Sequence, residues 1–303
     1  EVDCAILPAL HGAGERPVTG DYVEVDSENV LREVGKRRTL LSRKAAGQKT
    51  VGQPMAANVD TAFLVTSLDE DFRGRRLERY VALCLESGVD PVVVITTIDL
   101  GGDLAGCVDE VQMAWPTMSV MAVNALEGDG VDAVRAALPE GKTGVLLGSS
   151  GVGKSTLLNT LLGEARMRTN AVREADHKGR HTTTHRELVE TEWGAFFIDS
   201  PGMREVGLWA GEEAVEDTFA EIAALAGQCK FSDCTHDNEP DCAVRRAVEE
   251  GLIASARLES YHRLKREIAA TAIRKSEHER RKLEKKTYGK WRKEFQKRGD
   301  KRR

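Results

Sequence analysis

The 303-residue chain contains no run of about 18 apolar residues, which excludes a membrane-spanning helix. Its opening, EVDCAILPAL, has no basic segment ahead of an apolar stretch, so no secretory signal is expected. An initiator methionine is also absent, and further residues are expected upstream. Only six cysteines are present, without the even spacing of a disulfide framework. That pattern predicts a reducing compartment, hence a cytoplasmic protein. What remains is 41% hydrophobic and 31% charged, the mix of a soluble globular chain with room for two or three domains.

The net charge of −5 is unevenly spread. Residues 274–303 carry fifteen Lys/Arg against five Asp/Glu, a net of +10, and the rest of the chain is left at −15. An acidic body with one basic end predicts a polyanionic partner such as RNA reached by that end.

Along the chain, residues 1–50 are Gly- and Val-containing, with one strand expected at Tyr22–Val25 and a polar linker at Arg43–Lys49. From about 55 to 205, apolar β-rich runs occur at Ala62–Thr66, Val92–Thr96, Met118–Val123, Gly144–Leu147 and Ala195–Ile198. Amphipathic stretches such as Arg75–Glu86 and Val131–Leu138 fall between several of them. Continuous apolar strands alternating with helices predict an α/β core built on a mostly parallel sheet. Beyond 210 the pattern is helical, interrupted by a Cys/His cluster.

Gly148-Ser149-Ser150-Gly151-Val152-Gly153-Lys154-Ser155-Thr156 fits the glycine-rich phosphate-binding pattern, with a strand before it and a helix after it. Glycines let backbone N–H groups curl around a β-phosphate, Lys154 neutralises the β- and γ-phosphates, and the Ser155 hydroxyl is the expected ligand of Mg²⁺. Asp199-Ser200-Pro201-Gly202 follows another apolar strand, where Asp199 is expected to add a second contact to Mg²⁺ and Gly202 to sense the γ-phosphate. Between them, one of Thr182, Thr183 and Thr184 is expected to order the segment around the γ-phosphate, with Thr183 the choice taken. His177, His181 and His185 share a helical spacing, but Gly179 and three consecutive threonines argue against a helical metal face.

The candidate base-reading loop lies upstream of the phosphate loop. Thr96, Thr97, Ile98 and Asp99 end an apolar strand, and the Asp99 carboxylate would accept hydrogen bonds that guanine offers and adenine does not. Asn124 and Ala125, after the next strand, would supply a backbone N–H to the guanine oxygen. On this reading the usual order of motifs is rotated, which sheet closure tolerates because chain ends lie at the surface.

In this order the chain resembles the circularly permuted, ribosome small-subunit-dependent GTPases, the RsgA or YjeQ family. The resemblance spans nearly the whole chain and includes Ala56–Asp60, Val65–Leu68, Arg76–Tyr80, GSSGVGKST at 148–156, GRHTTTHREL at 179–188 and DSPGMRE at 199–205. It implies an N-terminal oligonucleotide-binding barrel (1–50, expected to be truncated), a permuted GTPase core (51–208) and a zinc-binding helical domain with a basic tail (209–303). It also implies late small-subunit maturation, GTP hydrolysis stimulated by the subunit, and GTP or GDP and ribosomal RNA as partners, for a monomer that meets no membrane. One position departs from the pattern. Thr97 stands where the family carries lysine, and the missing ammonium predicts nucleotide affinity weakened by about 1–3 kcal/mol with guanine preference kept by Asp99.

Many GTPases place a water-orienting glutamine after the glycine of the second motif. Met203 stands there, so slow intrinsic hydrolysis is expected, with His181 a candidate for the polar role and Arg204 read as a surface ion-pair former. Cys229, Cys234, His236 and Cys242 gather three of six cysteines and one of seven histidines within fourteen residues. Three thiolates and an imidazole suit one tetrahedral, structural Zn²⁺ with no open coordination position. The tail predicts a long helix over Ala254–Arg298, with Trp291 and Phe295 among lysines and arginines. Two other functions stay open: a relaxed NTPase in another RNA process, and a non-enzymatic RNA-binding module.

Overall fold

The computed structural model describes residues 5–6, 16–44, 52–68, 72–96, 98, 101–163, 187–199, 212–270 and 273. Its centre is a six-stranded sheet. Strands β6 (Thr61–Ser67), β7 (Asp90–Thr96), β8 (Val120–Ala122), β9 (Thr143–Leu147), β10 (Glu187–Glu190) and β11 (Phe196–Asp199) lie in the order β10-β11-β9-β6-β7-β8. All neighbours run parallel except β10, which pairs antiparallel with β11 at one edge.

Every residue of β6 is buried. That follows from its central place, with helices on both faces. Alternate residues turn to opposite sides. Leu64, Val93, Ile95, Val145 and Leu147 pack under helices α1 (Gly74–Ser87) and α2 (Leu104–Ala114). Phe63, Val65, Val94 and Phe197 pack under α3 (Val131–Ala137) and α4 (Lys154–Leu162). The five expected core strands are present, each shifted at its ends by a residue or two. The sequence reading missed α2, whose only fully buried residue is Val111, and the edge strand β10.

Ahead of the core, β1 (Ala5–Ile6), β2 (Val23–Val25) and β3 (Val30–Val34) form one small sheet in the order β1-β3-β2. Strands β4 (Leu40–Lys44) and β5 (Gly52–Ala57) form another. Arg43 and Lys44, expected in a linker, therefore belong to a strand, and the β4–β5 pair crosses the expected boundary at residue 50. Asn58 and Asp60 join these strands to the core. Asn58 donates to the Gly20 carbonyl at 2.9 Å and accepts from the Arg38 N–H at 2.8 Å. Asp60, just before β6, accepts from Arg38 at 2.9 Å, from the Lys142 ammonium at 3.0 Å and from the Thr143 N–H at 2.9 Å. Burial pushes its carboxyl up, but these donors outweigh it and hold Asp60 below the usual carboxylate range.

After the core come α5 (Glu212–Thr218), α6 (Ala220–Ala226), a Cys/His loop, α7 (Ala243–Glu249) and a helix α8 over 255–270. The expected tail helix beyond 273 lies outside the described residues. This C-terminal unit has its own core of Val215, Phe219, Ile222, Val244, Tyr261 and Leu264, and it meets the central domain along α1. Arg257 fastens the joint. Its guanidinium donates to Glu221 at 2.7 Å, to Glu78 at 3.0 Å, and to the carbonyls of Thr218 (2.8 Å) and Ala114 (3.3 Å). It also lies over the rings of Phe219 (4.2 Å) and Trp115 (4.8 Å).

With the Arg257 and Glu78 side chains each 10% exposed, truncating the arginine strands a buried carboxylate. Arg257→Ala is expected to cost about 3–5 kcal/mol in urea unfolding. Arg257→Lys should recover only part of this, because an ammonium lacks the planar fork that serves several acceptors at once.

Candidate nucleotide site and metal centre

The phosphate loop runs from the end of β9 into the first turn of α4, as the motif requires. Gly148 lies with its backbone against β6: a Cβ there would stand 2.2 Å from the Val65 carbonyl oxygen, and its φ is +154°. Only glycine fits that approach. Gly153, at φ +85°, turns the chain into α4, so that Lys154 and Ser155 open the helix with its N-terminal dipole facing the loop. The Lys154 ammonium donates to the carbonyls of Gly148 (2.8 Å) and Ser149, closing over the loop it would serve. Val152 is buried against the sheet, while Gly151 is exposed at the loop's crest.

Two threonines tie the phosphate loop and the helix after it to neighbouring segments. Thr96, at the end of β7, is 2% exposed. Its hydroxyl lies 2.8 Å from the Val152 carbonyl and 3.2 Å from that of Thr66, bracing the phosphate loop against two strand ends. Thr160, on α4, donates to the Ala125 carbonyl at 2.6 Å. Asn124 is 4% exposed, and its Oδ1 accepts the N–H groups of Leu126 (3.2 Å) and Glu127 (3.3 Å). Residues 96 and 124–125 therefore stand at the same end of the sheet as the phosphate loop, where strands 7 and 8 pair through Ile95 and Ala122. Ligands of open α/β sheets bind at this carboxyl end.

Asp199 ends β11. The pairing of Ile198 with Val145 sets its backbone beside the strand that feeds the phosphate loop. Ile98 is half-buried against the core. Thr97, Asp99, His181, Thr183 and Gly202 lie outside the described residues, as does the Asp199 side chain. The sequence reading placed Thr96 on the base and gave no part to Thr160. A threonine at a strand end carries no periodic signal, and the partner of Thr160 is 35 residues away.

The second cluster closes in the C-terminal unit. The ligand atoms of Cys229, Cys234, His236 and Cys242 all lie within 4.8 Å of one another. Cys229 Sγ stands 3.6 Å from His236 Nδ1 and 3.9 Å from Cys242 Sγ, and Cys242 Sγ is 3.5 Å from His236 Nδ1. Tetrahedral Zn²⁺ with bonds of about 2.3 Å to sulfur would set its sulfurs about 3.8 Å apart, so three thiolates and Nδ1 fit that ion. The loop carries two left-handed residues, His236 at φ +65° and Asp241 at φ +59°. Glu239 holds it by accepting from the N–H groups of Thr235, Asp237 and Asn238. The Thr235 hydroxyl and N–H, above all, pull the Glu239 carboxyl down to about 2. Burial pushes the Cys229 thiol up, but the N–H groups of Ala243 and Val244 and the neighbouring thiols bring it below its ordinary value, whereas burial and the thiols of Cys242 and Cys229 push Cys234 up to about 11.

A family model described as RsgA GTPase matches residues 34–209. The chain belongs to the RsgA GTPase family. Small ribosomal subunit biogenesis GTPase RsgA 2 of Vibrio vulnificus is 46% identical over 264 residues, covering 87% of this chain and 76% of its own. Small ribosomal subunit biogenesis GTPase RsgA of Methanosarcina acetivorans is 45% identical over 293 residues, covering 95% and 79%. The crystal structure of YjeQ from Thermotoga maritima superposes with a TM-score of 0.65 at 27% identity, covering 88% of this chain and 89% of that one. YloQ, described as a circularly permuted GTPase, gives 0.59 at 26% identity, covering 86% and 84%. The late position of the phosphate-loop strand, β9, after both β6 and β7 is that permutation seen directly.

In a family of GTP hydrolases, the close approach at Gly148 has a sharp consequence. Gly148→Ala should weaken GTP binding at least a hundredfold in a fluorescence titration, because the added methyl overlaps a backbone carbonyl that cannot move. At the Cys/His cluster, Cys234→Ser should lower the amount of Zn²⁺ the chain retains after reconstitution and desalting relative to the unaltered chain, measured by atomic emission. His236 titrates below its ordinary 6.5 because of burial and the positive neighbours His262 and Lys265. The unfolded chain therefore takes up that proton first. Stability of the chelator-treated protein is expected to be full above about pH 6.5 and to fall as pH drops from there towards the lowered value.

Proposed function

We propose that this chain is a GTPase of small ribosomal subunit biogenesis that binds the subunit and its RNA and hydrolyses GTP when engaged with it. The observation that carries the reading is the phosphate loop, formed from Gly148 to Lys154, in a chain whose relatives bear that name over most of their length. Backbone N–H groups of residues 149–154 would hold the β-phosphate, and the Lys154 ammonium, now on the Gly148 and Ser149 carbonyls, would turn to the β- and γ-phosphates. Ser155 and Asp199 would hold Mg²⁺, whose contribution is charge neutralisation across the β- and γ-oxygens. Thr183 and Gly202 would close on the γ-phosphate, and His181 would orient the attacking water. The guanine edge would meet Asp99, with the Ala125 N–H at its oxygen and Thr97 and Ile98 flanking it.

The Cys229–Cys234–His236–Cys242 cluster holds one structural zinc in this reading, and its closed ligand set keeps it out of the chemistry. The N-terminal sheets and the basic residues of 274–303 are the surfaces offered to RNA phosphates. In this reading the protein works in the cytoplasm, as a monomer.

Phosphate release from GTP and from ATP, each with and without purified small subunits, tests the proposal. Slow release from GTP alone, raised at least tenfold by subunits and exceeding that from ATP, is the expected result. Equal use of ATP would transfer the favour to a relaxed NTPase, the reading that Thr97 supports, and absence of stimulation would remove the subunit from the proposal.

A further inference from the structure

The joint between the core and the C-terminal unit is open on one side. There α1, α2 and the turn that leads into α8 surround a cleft of about 760 Å³. Two of the most exposed apolar side chains among the described residues stand on it, Met113 of α2 (80% exposed) and Leu252 of the facing turn (74%). Between them the lining continues into Leu77, Val111 and Ile253, which are buried. Apolar surface that runs from an exposed rim to a buried floor, at a joint between two units, has the form of a binding cleft and not of scattered surface residues.

The charges in the cleft select its occupant. Gly106, Asp109, Glu110 and Met113 recur at helical spacing, so one face of α2 presents two carboxylates and a methionine to it. Asp109 and Glu110 are exposed and form no ion pair among the described residues. Two of the cations that line the cleft are already engaged. Arg257 serves Glu78 and Glu221, and Arg75 lies 3.5 Å from Glu259. Arg73 lies at the α1 end and leaves the α2 side acidic. Nucleic-acid phosphates are repelled by such a wall. An extended peptide finds nothing to pair with, because the backbones of α1, α2 and α8 spend their hydrogen bonds within the helices. A helix laid in the groove needs only side chains. From residue 106 to residue 113, α2 advances about 10 Å, the reach of apolar anchors at i, i+4 and i+7 on an opposing helix.

We infer that this cleft docks an amphipathic helix of a basic partner protein, its apolar stripe on Met113, Leu252 and Ile253 and its lysines or arginines on Asp109 and Glu110. Methionine suits such a surface, since its flexible, polarizable side chain fits itself to the anchor it meets. One wall belongs to the core and the other to the C-terminal unit, so a docked helix spans both and reinforces the joint that Arg257 makes. Docking here makes no use of the nucleotide site.

Two dye-labelled synthetic helices, one of leucine and lysine with leucines at that spacing and one with glutamate in place of lysine, probe the full chain by fluorescence anisotropy at physiological salt. The leucine–lysine helix is expected to bind at least tenfold more tightly than its acidic counterpart. Met113→Gln combined with Leu252→Gln should weaken it at least tenfold, and Asp109→Lys about fivefold. Asp132→Lys, the same charge change on α3 at the opposite face of the sheet, should shift it less than twofold. Urea midpoints of these variants should stay close to that of the unaltered chain, since the altered side chains are exposed, which separates lost docking from lost folding. Equal binding of the two helices, or undiminished binding by the Met113→Gln, Leu252→Gln chain, would overturn the inference. Met113→p-benzoylphenylalanine then reports the occupant by photo-crosslinking: adducts with the basic helix support docking of a partner. Adducts formed instead with residues 274–303 of the same chain, or with a second copy, would overturn it in favour of those occupants.

Discussion

Everything at the carboxyl end of the central sheet depends on how closely the backbone at Gly148 lies against the carbonyl of Val65. With no side chain between them, β9 can deliver the phosphate loop directly over the end of β6. Thr96 then reaches both Val152 and Thr66 with one hydroxyl, and α4 begins at the right height for Thr160 to catch the turn after β8. A larger residue at 148 would lift the loop and break each of these ties in turn. The site is thus assembled from three strand ends and one helix, none of which carries it alone.

The C-terminal unit is stabilised on another basis. Its core is small, its helices α5, α6 and α7 are seven residues each, and its Cys/His loop holds two residues in the left-handed region. Short helices gain little from their own hydrogen bonds. Side-chain clusters supply the rest: three cysteines and His236 gather the loop, and Arg257 joins the unit to α1 and α2. Burial pushes the Glu78 carboxyl above its ordinary value despite the guanidinium beside it, which marks this joint as dry.

Much of this was legible from residue order. The phosphate loop could be read because each glycine has a backbone reason to be glycine, and the core strands because burial on both faces forces continuous apolar runs. The cysteine cluster was legible because sulfur ligands so close in sequence have few other uses. What escaped were features decided by partners far along the chain. Arg257 meets Glu78 across 179 positions, and nothing local marks it out from other arginines. Strand β4 hides in polar residues because, among its described side chains, only Leu41 is deeply buried, and α2 hides because it presents a single buried valine to the sheet.

Asp60 carries a consequence for how the N-terminal strands are held. The same carboxylate grips Arg38 on one side and Lys142 with the Thr143 N–H on the other. Thr143 begins the strand whose far end is the phosphate loop. A load that peels the N-terminal strands from the core is therefore delivered to the foot of β9, five residues below Gly148. Grip on whatever those strands hold and grip on the nucleotide share one mechanical anchor, at opposite ends of one strand.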